Sequence, residues 1–266
     1  MLYADQWNDP SPMMPRFLPE GPAILISRSR SILVIADIHL GVESALSRKG
    51  WHLRSRTDDR LSRLIACIED ADPDLLVILG DLKHSVPQVT WQEAKELPRV
   101  LETIRKRVEL ALLPGNHDAG IERYMEEGEL LPKNGVVIDG TGFLHGHTYP
   151  SPDLAGHLIL AGHHHPVIHL YDEVGCSLRG SPAYLLGEVD ETILQMQMAD
   201  HPTRLLLVPA FYEYAGGIDI RTIPESGISP LAKSIRIETA EVFLSDGTYI
   251  NSLGALRSEC NPGSAG

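Results

Sequence analysis

Five short clusters between positions 37 and 165 hold the residue types that bind metals: Asp37-x-His39, Gly80-Asp81, Gly115-Asn116-His117-Asp118, His145-Gly146-His147 and Gly162-His163-His164-His165. Carboxylate, imidazole and one amide oxygen form a donor set for borderline divalent metals such as Mn, Fe, Zn or Ni. In an extended segment alternate residues share a face, so Asp37 and His39 would point one way, and so would His163 and His165. Asp81 has two carboxylate oxygens and can bridge two ions, and two ions about 3.5–4 Å apart clamp an in-line displacement at phosphorus. A lone DxH or GH pair is common by chance, and HxH after a strand reads equally as a turn with exposed imidazoles. Five clusters in one chain are another matter, because isolated ionised groups are costly to bury. The set reads as a metal site.

The surrounding elements explain how such clusters could meet. Ile32–Ala36 runs into Asp37, Leu75–Leu79 into Gly80-Asp81, and Leu110–Leu113 into Pro114 and the Asn116 cluster. Continuous apolar runs of this length suit strands buried on both faces. From Thr57, Leu61, Leu64, Ile65 and Ile68 recur at helical spacing behind Asp58 and Asp59, a helix start. Thr90 to Arg107 is a second helical stretch, which Pro98 is expected to kink or divide. Strand alternating with helix predicts a parallel α/β sheet, with its site at the carboxyl ends of the strands. After about residue 136 the pattern changes to short strands: Val136–Ile138, Gly142–Leu144, His157–Ala161, Val167–Tyr171, Leu205–Val208, Ile218–Ile220 and Ile235–Phe243, with Asp246-Gly247 as a turn. These predict a second, more antiparallel sheet packed on the first.

Composition sets the outer bounds. Of 266 residues 43% are hydrophobic and 22% charged, which excludes wholesale disorder. No long linker or repeat divides the chain, so the expectation is one domain over 31–255, preceded by an extension over 1–30 and followed by a flexible tail over 256–266. The balance of 23 Lys+Arg against 36 Asp+Glu gives a net charge of −13. That argues against bulk electrostatic binding of nucleic acid, though not against local grip on phosphates through metals. Three widely spaced cysteines (Cys67, Cys176, Cys260), a start without an apolar leader core and apolar runs of strand length predict a reduced, cytoplasmic protein with no membrane span. Nothing in the sequence indicates an oligomeric state.

In this order the clusters resemble the calcineurin-like metallophosphoesterase superfamily, whose pattern is DxH, GD, GNH(D/E), H(G), GHxH. Gly80-Asp81-Leu82-Lys83-His84, Gly162-His163-His164-His165-Pro166 and Pro209-Ala210-Phe211 narrow the resemblance to the ICC-like group, which includes archaeal proteins and the bacterial DNA-ligase-associated phosphoesterases. The resemblance implies a four-layer α/β/β/α sandwich of two mixed sheets and two divalent ions, Mn first among them. It places Asp37, His39 and His165 on one ion, Asn116, His145 and His163 on the other, and Asp81 on both. His117 would stay off the metals and protonate the leaving oxygen, oriented by Asp118.

The implied chemistry is hydrolysis of phosphodiesters by a metal-activated hydroxide, with DNA processing as the first guess for substrate. Hydrolysis of a small or cyclic nucleotide is the alternative, and a non-catalytic metal-binding scaffold a third. Several neighbours stay open. His84, where many relatives carry Asn or Asp, reads as a substrate contact, a support behind the ligands or a helix-end residue. His147 reads as a phosphate contact or a solvent-facing side chain, and His164 as structural. Six basic residues lie between Arg48 and Arg63, with Arg48 and Arg54 as candidate substrate contacts. That strip, with Trp51, is either a phosphate-backbone surface or a solvated helix face.

Overall fold

The computed structural model describes residues 15–51, 53–172, 175–214 and 216–259. Its first sheet has the order β1 (Arg16–Phe17), β2 (Ile24–Ser27), β3 (Ser31–Ile35), β4 (Leu75–Ile78), β5 (Glu109–Leu112). The β1, β2 and β3 strands pair antiparallel, whereas β3, β4 and β5 run parallel. Helices α1 (Val42–Arg48) and α2 (Thr57–Ala71) lie between β3 and β4 in the chain, and α3 (Trp91–Arg105) connects β4 to β5. Strand alternation sorts the apolar residues. Leu33, Ile35, Leu76, Ile78, Leu110 and Leu112 pack with Leu61, Leu64, Leu97, Val100, Leu101 and Ile104 of α2 and α3. Their neighbours Ile32, Val34, Leu75, Val77 and Ala111 face the other way, into the core shared with the second sheet.

The second sheet contains β6 (Val136–Ile138), β7 (Thr141–Leu144), β8 (Leu158–Ala161), β9 (Pro166–Asp172), β10 (Gly175–Glu188), β11 (Arg204–Leu207), β12 (Ile218–Asp219), β13 (Glu241–Leu244) and β14 (Tyr249–Ser252). Its order is β12-β9-β10-β11-β8-β7-β6, with β13 pairing β10 and β14. The sheet is mixed: β7/β8, β8/β11 and β9/β12 are parallel pairs. A 3₁₀ turn at Ile220–Glu225, α4 (Pro230–Ser234) and α5 (Leu253–Glu259) supply Ile220, Ile223, Leu231, Leu253 and Leu256 to its core. Two mixed sheets flanked by helical segments match the expected α/β sandwich.

Three expectations need correction. Pro98 does not divide the second helix: α3 runs through it. The proline is exposed, so the carbonyl left without an amide partner can turn to water. Ile235–Phe243 is not one strand; a 3₁₀ turn at Ile237–Thr239 precedes β13. The 14-residue β10 was not foreseen, because Gly175, Gly180, Pro182 and Gly187 read as breaks. Register shifts between Cys176 and Ser181 absorb Gly180, whereas Gly175, Pro182 and Gly187 stay in regular pairing with β9 and β11, and the later part of the strand pairs with both β11 and β13.

At the ends, β1 and β2 join the first sheet and α5 carries ordered chain to Glu259, whereas Asn261–Gly266 lie outside the described residues. Cys67 is a free, buried thiol, pushed up to about 12 by its burial. The Cys176 side chain and Cys260 lie outside the described residues. No helix among the described residues is long and apolar enough to cross a membrane.

Candidate metal centre

The first three clusters follow β3, β4 and β5, at the carboxyl ends of three adjacent parallel strands. Beyond the strands the chain keeps pairing: Asp37 N–H donates to the Gly80 carbonyl (3.1 Å), His39 N–H to Asp81 (2.9 Å) and Leu40 N–H to Leu82 (2.9 Å). This ladder is not extended. Asp37, His39, Asp81, His163 and His165 have φ of 53°, 50°, 50°, 70° and 44°, the left-handed region that non-glycine residues visit at a cost of about 1–3 kcal/mol. The expected sharing of a face by Asp37 and His39 therefore comes from alternate left-handed residues rather than from a strand.

Each carboxylate is split between a backbone bond and the site. Asp37 Oδ2 accepts from His163 N–H at 3.0 Å, while Oδ1 is buried without a hydrogen-bond partner, 3.4 Å from His165 Nε2. Asp81 Oδ1 accepts from His117 N–H at 2.8 Å. Its Oδ2 stands 3.6 Å from His39 Nε2 and 3.5 Å from His145 Nε2. Three groups emerge, each with ligand atoms within 4.8 Å of one another: Asp37 with His39 and His165, Asp81 with His145 and His163, and, without a carboxylate, His39 with His84 and His117. Asn116 Oδ1 lies 3.1 Å from His145 Nε2, beside the second group. The His39 Nε2 atom is also buried and unpartnered. Unsatisfied buried oxygen and nitrogen aimed into one space are what divalent cations would satisfy, so the residues fit the two ions that the family pattern implies.

Glycines make the close approach possible. A Cβ on Gly115 would fall 2.1 Å from Asp81 Oδ1, and one on Gly80, whose φ is +81°, would fall 2.4 Å from His145 Nδ1.

The electrostatics follow from burial. Burial raises Asp37, but His165, His145 and His39 outweigh it and hold the carboxylate below its ordinary range. Asp81 is pushed up to about 9 by burial, then by Asp37 and Asp118. Burial first, neighbouring imidazoles second, lowers His163 to about 3, and burial lowers His145 to about 4. Burial thus favours neutral His145 and His163 and a protonated Asp81, while the imidazoles around Asp37 favour its ionised form; a cation held there would displace the Asp81 proton.

The remaining candidates divide. The His117 ring is half-buried, 5.0 Å from His39 between centroids, and its Nδ1 pairs with the His84 carbonyl. Asp118 does not take the expected place against that ring. It is buried and binds loop amides instead, Oδ1 from Lys83 at 3.2 Å and Oδ2 from Gly115 at 2.8 Å. His84 turns toward His39, with the two Nδ1 atoms 3.1 Å apart. The half-buried His147 ring lies 5.2 Å from His145 and has a buried, unpartnered Nδ1. His164 points away, its Nε2 2.7 Å from Ser229 Oγ, as a structural residue should.

The basic strip breaks into two parts. Arg60 is buried and paired with Glu43 (2.6 Å) and Glu213 (2.9 Å). Arg56 binds Asp59, and Arg63 donates to the Phe211 carbonyl while lying over its ring. Arg60 and Arg63 tie α2 to the 211–213 segment, whereas Arg56 keeps an exposed pair on the surface of α2. Arg48 and Arg54 are exposed.

Three residues near the site escaped the sequence reading. Tyr212 sets its ring 4.9 Å from His39 and 5.7 Å from His165; it follows Pro209-Ala210-Phe211, which gave no hint of its direction. The ammonium of Lys83, fully buried, bonds the Ser85 and His117 carbonyls at 2.5 Å each. Glu93 completes a capping box with Thr90 and also accepts from the amides of His84 and Ser85. The T-x-x-E spacing that signals such a box was there to be read.

The "Calcineurin-like phosphoesterase" family model matches residues 30–186, more than half of the chain and every cluster from Asp37 to His165. The chain belongs to the calcineurin-like phosphoesterase family. Curated relatives match over a short stretch. The serine/threonine-protein phosphatase CPPED1 of Pongo abelii is 40% identical over 50 residues, and that of Rattus norvegicus 38%; each match spans 18% of this chain and 16% of the relative's own length. Among solved structures, the Pseudomonas putida nuclease MPE aligns with a TM-score of 0.48 at 21% identity, over 88% of this chain and 97% of that one. The phosphoesterase Yfce from E. coli aligns with a TM-score of 0.33 at 17% identity, over 53% of this chain and 73% of that one.

Proposed function

We propose that this calcineurin-like phosphoesterase is a binuclear metal-dependent hydrolase of phosphodiesters. The observation that carries the reading is the sharing of Asp81: one carboxylate oxygen faces an imidazole of each ligand group, at 3.6 and 3.5 Å. Asp37, His39 and His165 would hold one ion, and Asn116, His145 and His163 the other. Two divalent ions there, Mn first and Fe, Zn or Ni as alternatives, would neutralise phosphate oxygens and make hydroxide available near neutral pH.

The chain's own groups then divide the remaining work. Asp81 is oriented by the His117 amide. His117 donates Nδ1–H to the His84 carbonyl, which turns Nε2 to the departing oxygen; with both ring nitrogens protonated, the imidazolium would give its Nε2 proton to that oxygen and be left as the neutral Nδ1–H ring. His147, with its unpartnered Nδ1 beside His145, is placed to bind a phosphate oxygen.

For substrate, the resemblance of the GDLKH, GHHHP and PAF segments to the ICC-like and DNA-ligase-associated group favours a nucleic-acid phosphodiester, handled in the cytoplasm. One observation favours the smaller alternative, a small or cyclic nucleotide. Arg60 and Arg63 are committed to internal partners, which leaves Arg48, Arg54 and the exposed Arg56 as the arginines of the strip within reach of a backbone. The deciding experiment screens Mn-loaded protein on single-stranded DNA, duplex DNA, 2′,3′- and 3′,5′-cyclic nucleotides and bis-p-nitrophenyl phosphate, with Asp81→Ala as background. DNA cleavage that weakens with salt supports the nuclease. Turnover confined to small esters moves the assignment to nucleotides, and no Asp81-dependent turnover on any substrate overturns the enzyme reading.

A further inference from the structure

We propose that His84 is a positioning residue for one ion of the centre: its imidazole accepts the Nδ1–H of His39 and so holds His39 Nε2 toward the ligand group. The proposal rests on the binuclear reading above and deepens it.

A ligating histidine binds through one nitrogen, and what the other nitrogen bonds to fixes the tautomer and the ring direction. His145 meets that need conventionally, with Nδ1 2.7 Å from the Leu79 carbonyl. His39 has no carbonyl in that place. Its Nδ1 lies 3.1 Å from Nδ1 of His84, while its Nε2 is buried, unpartnered and directed at Asp81 Oδ2. For Nε2 to keep its lone pair for a cation, the proton of His39 must sit on Nδ1, and His84 must accept it and carry its own proton on Nε2. The two supports differ in kind, since a backbone carbonyl cannot be removed by substitution and an imidazole can.

Residue 84 is itself held firmly. Its N–H is shared between the Leu40 carbonyl and Glu93 Oε1, both at 3.0 Å. Its carbonyl takes the Nδ1–H of His117, and its ring stacks on the His117 ring at 5.2 Å and 26°. The side chain thus serves a ligand while the main chain serves the candidate proton donor. This geometry commits Nδ1 of His84 to His39 and leaves only its Nε2–H for any contact with substrate.

Metal binding tests the proposal without any assay of turnover. Equilibrium dialysis and calorimetry with Mn²⁺ would compare the wild-type chain with H84A, H84N and H84Q. An Asn amide oxygen occupies the place of an imidazole Nδ1, whereas a Gln amide reaches the place of Nε2. Wild type and H84N should bind two ions alike. H84A and H84Q should bind one ion about 10- to 100-fold more weakly and the other unchanged. Equal affinities in wild type and H84A, or in H84N and H84Q, overturn the proposal, and the second comparison decides if H84A does not fold. Nitrogen-15 spectra of metal-free wild type supply an independent reading: His39 should be the Nδ1–H tautomer, and the Nε2–H tautomer would overturn the assignment. A wild type that binds fewer than two ions would instead overturn the binuclear reading beneath it.

Discussion

The backbone N–H of His117 donates to Asp81 Oδ1 at 2.8 Å. The residue proposed to meet the leaving group therefore also steers the carboxylate between the two ligand groups, and it does so through an atom that survives side-chain replacement. His117→Ala should keep both ions and lose about 10²- to 10⁴-fold in turnover. Asp81→Ala should lose both ions and turnover together. Metal analysis after dialysis, paired with bis-p-nitrophenyl phosphate hydrolysis, separates the two; full turnover in His117→Ala would take His117 out of proton transfer.

Metal uptake should depend on pH through Asp81. In the metal-free protein this group keeps its proton up to about 9, whereas His145 and His163 are already neutral well below pH 6. Cations must displace one proton, so affinity should rise about tenfold per pH unit from neutrality and level off above about 9. Stability runs the other way. A folded-state value above the unfolded one of about 4 means the contribution is intact below pH 4 and lost as pH rises through about 9. Thermal midpoints of metal-free protein should fall between pH 7 and 9, and Asp81→Asn should flatten that fall; an unchanged slope would refute the assignment.

Arg60 should prove structural. Its guanidinium is buried against Glu43, which is equally buried, so Arg60→Ala strands a carboxylate and should cost about 3–5 kcal/mol. The exposed Arg54 should cost less than about 0.5 kcal/mol when replaced by alanine. Chemical denaturation of both variants checks the contrast, and similar losses would mean that the strip acts as one unit.

Gly115→Ala should damage the centre more than the fold. The added methyl would overlap Asp81 Oδ1, displacing the shared carboxylate while the β5 strand, which ends at Leu112, stays paired. Loss of both ions with a cooperative unfolding transition is the expected result. Normal metal content would show that the loop yields instead.

Much of this arrangement could be read from residue order. Parallel strands buried on both faces announce themselves as unbroken apolar runs, and Ile32–Ile35 and Leu75–Ile78 lie where those runs predicted. The ligand residues stood out because imidazole and carboxylate recur at strand ends. What stayed hidden depends on backbone direction. A left-handed Asp81 looks like any other aspartate in a sequence, and the turn of Asp118 toward loop amides rather than His117 is set by the 115–118 loop. Strand β10 was hidden for the opposite reason: tertiary pairing on both sides overrides its glycines and Pro182.

The left-handed backbones of Asp37, His39, Asp81, His163 and His165 have an evolutionary consequence. Glycine or asparagine at such positions relieves strain, so drift away from the ligand set is energetically downhill for the fold. A lineage released from the demand for catalysis would lose its ions early and keep its architecture, and relatives without ligands should be at least as heat-resistant as the metal-free forms of those that retain them.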